Sequence, residues 1–237
     1  MKIWKKAILA LSAAVLVLAL ACGIYAGDYY RAQDAAVASS ETVTVTITED
    51  RATFAPDHAE AGLIFYPGGK VEFTAYGPLM AKLAEENILC VLLKMPMNLA
   101  VLDMAAAEGI PEQFPEVERW YLAGHSLGGS MAASWAGKHA DAYEGLILPA
   151  AYSTEDLTGT DLQVCSLYGD RDGVLNMEKY NGYRSNLPDT TLERILEGGN
   201  HAGFGSYGPQ EGDGISALEP GVQLQWTADT IGAFIRN

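Results

Sequence analysis

One stretch of the chain has the residue types and spacing for acyl chemistry: Gly124-His125-Ser126-Leu127-Gly128-Gly129. A serine hydroxyl attacks an acyl carbon only when a base takes its proton. A serine on a sharp strand-to-helix turn needs strained backbone angles and small neighbours, and Gly124 and Gly128 flank Ser126. The helix that starts there aims free N–H groups at the place where an oxyanion develops. Four histidines could supply the base. His58 falls in an early loop, and His125 lies inside the turn, its side chain expected to point away from Ser126. His139 ends a predicted helix, where a cation suits the helix dipole. His201 lies in the glycine-rich loop Glu197-Gly198-Gly199-Asn200-His201-Ala202-Gly203, late in the chain and just past a predicted strand, and is the expected base. The supporting acid should follow another strand, and Gly169-Asp170-Arg171-Asp172-Gly173 offers two. Asp172 is preferred, because Asp170 beside Arg171 suits a solvated turn; Asp156 ranks behind both. The order Ser126, Asp172, His201 is the order this chemistry takes on an α/β sheet. The oxyanion needs two preorganised donors. The backbone N–H of Leu127 is one, and the turn Pro67-Gly68-Gly69 supplies the other, with Gly69 preferred.

These residues need elements that bring them together. Residues 42–48 alternate strictly (T-V-T-V-T-I-T), the period of a half-buried strand, and Phe54 suggests a second short edge strand. The pattern then changes to continuous apolar runs at 62–66 and 88–93, as expected of strands buried on both faces, and further strands are expected at 120–123, 145–150, 162–168 and 192–196. Helical spacing separates them at 76–86, 99–107, 126–139 and 177–186, and 222–235 closes the chain. Strands alternating with helices imply a mostly parallel sheet with helices on both faces. Chemistry on such a sheet gathers at the carboxyl ends of the strands. Ser126, Asp172, His201 and Gly69 all follow strand ends.

The composition agrees. In 237 residues, 49% hydrophobic and 19% charged, there is room for one substantial domain. The formal net charge is −15, and because Lys2, Lys5 and Lys6 precede the domain, the domain is more acidic still. That disfavours nucleic acid and anionic lipid surfaces as partners. Cys90 and Cys165 fall in apolar strands as small hydrophobes, and no Cys/His cluster suggests a metal; neither metal nor cofactor is called for.

The first 25 residues read as an address. Three lysines precede the uncharged run 7–24, which puts the lysines in the cytoplasm and the domain on the outer face. The run is expected to stay as an anchor; cleavage after a site such as Ala19-Leu20-Ala21, or lipidation of Cys22, are the alternatives. Residues 26–41 are polar and Ala-rich, a tether, and residues 42–237 form the catalytic domain.

With these motifs in place, the chain resembles the α/β-hydrolase superfamily over about residues 60–237. It is similar in particular to a small, lid-poor, membrane-anchored bacterial branch with stretches like Gly62-Leu63-Ile64-Phe65-Tyr66-Pro67-Gly68-Gly69-Lys70 and Gly199-Asn200-His201-Ala202-Gly203-Phe204-Gly205. The resemblance implies Ser126 as nucleophile, Asp172 as acid, His201 as base, and Leu127 with Gly69 as oxyanion donors. Pro67-Gly68 stands where many members have His-Gly, which leaves the second donor to be settled.

Lipases and many esterases insert a lid after the sixth strand, but only residues 152–161 stand between two strands here, too few for a helical cap. An open site for small or exposed acyl groups is expected, with an ester or thioester as the small-molecule substrate. Acyl transfer by the same triad is an alternative, as is a surface binding module that kept the fold without the chemistry. A serine rather than an aspartate in the turn speaks against dehalogenation. Lys70 and Lys94, near strand ends, are candidates to meet a substrate carboxylate. Tyr207, Gln210, Glu211 and Asp213 either line the entrance or, as preferred here, form a solvated surface loop.

Overall fold

A computed structural model describes residues 39–237 without a break, and before them residues 27–33, 11–17 and the single positions Trp4, Leu20, Gly23 and Tyr25. Cys22 and half of the run 7–24 lie outside the described residues. Among the described residues no helix is long and apolar enough to cross a membrane.

The alternating segment forms strand β1 (Val43–Ile47), which pairs antiparallel with β2 (Arg51–Pro56). The other expected strands form β3 (Ala61–Tyr66), β4 (Ile88–Leu93), β5 (Trp120–Gly124), β6 (Gly145–Pro149), β7 (Gln163–Gly169) and β8 (Leu192–Leu196). All eight join one sheet in the order β1-β2-β4-β3-β5-β6-β7-β8, antiparallel at β1, β2 and β4 and parallel from β4 to β8. The expectation of an edge strand around Phe54 is corrected: β1 takes the edge, β2 lies between β1 and β4, and Phe54 is fully buried.

β3 and β4 are buried at every residue because both faces of the sheet are covered there. Leu63 and Phe65 of β3 pack into the core beneath helices α1 (Gly77–Glu85) and α4 (Val222–Arg236), with Leu79, Leu83, Ile231 and Phe234. Ile64 and Tyr66 of the same strand face the opposite core, under helix α2 (Leu127–Lys138). The buried side of α2 is Gly128, Gly129, Ala132, Ala133 and Ala136, small enough for the helix to lie close on β5. A fourth helix, α3 (Met177–Tyr183), buries Tyr180 beside β7.

Helical spacing at 99–107 does not become a helix. The segment makes short 3-10 turns at Pro96–Asn98 and Ala100–Leu102. Met97 and Asn98 have left-handed backbone angles that interrupt a helix, and the Tyr66 hydroxyl takes over two backbone groups beyond them, donating to the Met104 carbonyl and accepting from the Ala107 N–H. Between β6 and β7 residues 150–162 form no helix, so no cap stands on that side. Because β3, β5, β7 and β8 run parallel, the turns after them share one edge of the sheet.

Candidate active site

Strand β5 ends at Gly124, and Ser126 stands immediately before α2 with φ 54° and ψ −122°. This backbone is strained for a residue with a side chain, at a cost of roughly 1–3 kcal/mol. The surroundings enforce it. A Cβ at Gly128 would run into the carbonyl oxygens of Tyr66 and Pro67, and one at Gly129 into that of Gly124. Only glycine allows strand, turn and helix to approach so closely. Ser126 remains half-buried, within reach of solvent.

His201 Nδ1 lies 2.8 Å from Asp172 Oδ2, and both side chains are 1% exposed. Asp172 Oδ1 accepts from the N–H groups of Val174 (2.9 Å) and Leu175 (2.7 Å). A carboxylate held this way only accepts, so Nδ1 carries the imidazole proton and Nε2 keeps its lone pair. The His201 ring packs 4.5 Å from that of His125, the residue before Ser126, which sets it against the turn. Asp170 is engaged elsewhere. Its carboxylate accepts from Gly198 N–H at 2.7 Å, joining the loops after β7 and β8. Asp156 is exposed and holds Thr158.

The two expected oxyanion donors stand unclaimed. Gly68 N–H donates to the Tyr76 hydroxyl (3.0 Å), whereas the N–H groups of Gly69 and Leu127 have no acceptor among the described residues. The two residues are neighbours, since a Cβ at Gly69 would press on the Leu127 side chain.

His125 is buried, with its ring against those of Tyr76 and His201. Its Nδ1 is 2.8 Å from the Tyr76 hydroxyl, while its Nε2 has no hydrogen-bond partner. The same hydroxyl accepts from Gly68 N–H, so Tyr76 ties His125 to the turn after β3. Burial first, and then the nearby His201, hold the His125 pKa well below the usual value of 6.5. The folded ring stays neutral, and the unfolded chain takes up a proton below about pH 6.5. This contribution to stability is complete above that pH and is lost as pH falls toward the folded pKa, at about 1.4 kcal/mol per unit. Urea midpoints measured between pH 7 and 5 should therefore fall more steeply for the wild type than for His125→Asn; parallel curves would refute it.

Sequence reasoning missed Asp213, assigned above to a solvated loop. Its carboxylate accepts from the N–H groups of Gly173 (3.1 Å), His201 (3.1 Å), Ala202 (2.8 Å) and Gly214 (2.8 Å). It thus clamps the His201 loop to the residue after Asp172. Tyr207, from the same loop, is buried against Tyr76 and His125. Asp213→Asn keeps the shape but turns an amide N–H toward these donors. We expect kcat/KM for an aryl ester to fall about 10²-fold, the scale of a displaced catalytic group, with KM little changed. Wild-type turnover would return Asp213 to the surface.

Of the two lysines near strand ends, Lys70 is already paired. Lys70 Nζ is 2.6 Å from Asp28, and Lys94 is exposed. A cavity of about 500 Å³ lies behind the His201 loop, between Asn200, Asp213 and Gln223, and neither Ser126 nor Leu127 lines it.

A largely parallel sheet, covered on both faces, with a strained serine at the end of β5 and a buried Asp–His pair beyond β7 and β8, defines an α/β-hydrolase architecture. The chain belongs to the alpha/beta hydrolase family, whose profile matches residues 62–225. Solved structures share the fold at low identity. A predicted CIB-like hydrolase from Thermoplasma acidophilum is 16% identical with a TM-score of 0.58, covering 83% of this chain and 100% of its own. A dienelactone hydrolase from Anabaena variabilis is 10% identical with a TM-score of 0.62, covering 83% and 98%. A monoacylglycerol lipase from Paleococcus ferrophilus is 12% identical with a TM-score of 0.59, covering 79% and 98%. No curated protein matches the sequence.

Proposed function

We propose that the protein is a serine hydrolase that cleaves carboxylic ester or thioester bonds through an acyl-enzyme. Ser126 attacks the acyl carbon. His201 takes the hydroxyl proton at Nε2 and returns it to the leaving group, and Asp172 holds the imidazole and stabilises its cation. The N–H groups of Gly69 and Leu127 stabilise the oxyanion. The observation that carries this reading is the buried Asp172–His201 pair, 2.8 Å apart and packed against the turn that strains Ser126. The uncapped stretch between β6 and β7 favours small or exposed acyl groups. Residues 1–25 anchor the domain on the outer face of the membrane, on the strength of the lysines ahead of an uncharged run.

The test is labelling of the folded protein with a fluorophosphonate probe. The wild type should label, and His201→Ala should label far more slowly, since its serine has no base. Folded wild-type protein that takes no label would put the non-catalytic binding module first.

A further inference from the structure

The segment that leaves the N-terminal apolar run is not free of the site; residues 28–33 lie across both of its loops. Tyr30 N–H donates to the Lys70 carbonyl (2.8 Å) and Glu72 N–H to the Tyr30 carbonyl (2.9 Å), a parallel bridge between Tyr30 and Val71. Ala32 N–H donates to the Glu72 carboxylate at 3.1 Å. On the other side Gln33 N–H donates to the Ser206 carbonyl (2.8 Å), Glu211 N–H donates to the Tyr30 hydroxyl (3.1 Å), and the Tyr30 ring packs 5.7 Å from that of Tyr207. The chain is thus pinned beside Gly69 and close to the His201 loop. The apolar run ends at Ile24, six residues before Tyr30. Fully extended, six residues span about 20 Å. If residues 7–24 sit in a bilayer, the mouth of the site lies within about that distance of its surface.

The same rim carries apolar side chains in water. Met97, Val101, Leu102 and Met104 are 43%, 51%, 53% and 37% exposed within eight consecutive residues, of which only Asp103 is charged. This stretch is tied to the oxyanion turn by Lys70 N–H donating to the Asn98 carbonyl (2.8 Å), and to the end of β3 by the Tyr66 hydroxyl. An exposed apolar cluster of this kind marks a contact surface.

We propose that this rim rests in the interface of the bilayer that holds residues 7–24, so that the site opens toward lipid and takes amphiphilic esters from it. The proposal rests on the anchor assigned above. The contact is apolar, as an acidic domain requires.

The test uses the full chain in phosphatidylcholine vesicles, in a Cys22→Ser background. Cys90 and Cys165 are buried and escape labelling. An environment-sensitive fluorophore is placed at Met97→Cys, at Leu102→Cys, and at Gln163→Cys, the exposed first residue of β7 at the opposite end of the sheet. All three are exposed, so the fold tolerates them. Doxyl-labelled lipid should quench positions 97 and 102 several-fold more than 163. Equal quenching at all three in chain that floats with the vesicles overturns the proposal. So does chain that does not float, or a concentration-dependent blue shift at 97 and 102 without lipid quenching, which would give the rim to a second copy. The hydrolase reading fails separately, by absence of fluorophosphonate labelling, which leaves the quenching unmoved.

Discussion

Ser126→Ala should lower kcat on an aryl ester by roughly 10⁴–10⁶-fold, leave KM within a few-fold, and abolish fluorophosphonate labelling. Alanine removes the only atom that can form the acyl-enzyme. On the proposed mechanism the Gly69 and Leu127 donors and the His201 base remain, so some rate above the uncatalysed reaction should survive. Alanine also keeps the Cβ and therefore the strain at φ 54°, so the fold should not change. Ser126→Gly is the companion variant. It should be equally inactive but more stable than the wild type by about 1 kcal/mol, because glycine occupies this backbone region without penalty. An inactive Ser126→Gly that is no more stable would show that the turn is not strained. An active Ser126→Ala would remove Ser126 as the nucleophile.

Asp172→Asn and Asp170→Asn should differ by about three orders of magnitude, although the residues stand two apart. In Asp172→Asn the amide oxygen keeps the Val174 and Leu175 N–H groups, so the NH₂ turns to His201 Nδ1. The imidazole must then accept at Nδ1 and carry its proton on Nε2, facing the serine it should deprotonate. A wrong tautomer of this kind costs on the order of 10⁴ in kcat. Asp170→Asn can still accept from Gly198 N–H through its amide oxygen, and turnover should stay within about tenfold, since one loop contact is weakened rather than lost. Steady-state kinetics on one aryl ester decide the matter. The reverse ranking would make Asp170 the acid.

What is legible in the order of residues is local or periodic. Gly124-His125-Ser126-Leu127-Gly128 specifies its turn through the sizes of adjacent residues, and the apolar runs specify strands buried on both faces. Strand order then places Ser126, Asp172 and His201 at one sheet edge. The helical spacing at 99–107 misleads, because the backbone there is broken at Met97 and Asn98 and held by the Tyr66 hydroxyl, a partner 38 residues from Met104. Asp213 looks like any acidic residue in a Gly-rich loop. Its role depends on N–H groups of Gly173, His201 and Ala202 that only folding brings to it.

The sequence by itself determined most of the elements, the serine turn after β5, and the candidates for base, acid and oxyanion donors, because each depends on residue size, polarity and spacing along a few neighbours. The tertiary structure decided which aspartate meets His201, which glycine N–H is left free once Tyr76 has taken the other, that His125 is buried and neutral, and that Tyr30 closes on the oxyanion turn. Each of these is a pairing between groups far apart in the chain, and such pairings leave no periodic or local trace in the order of residues.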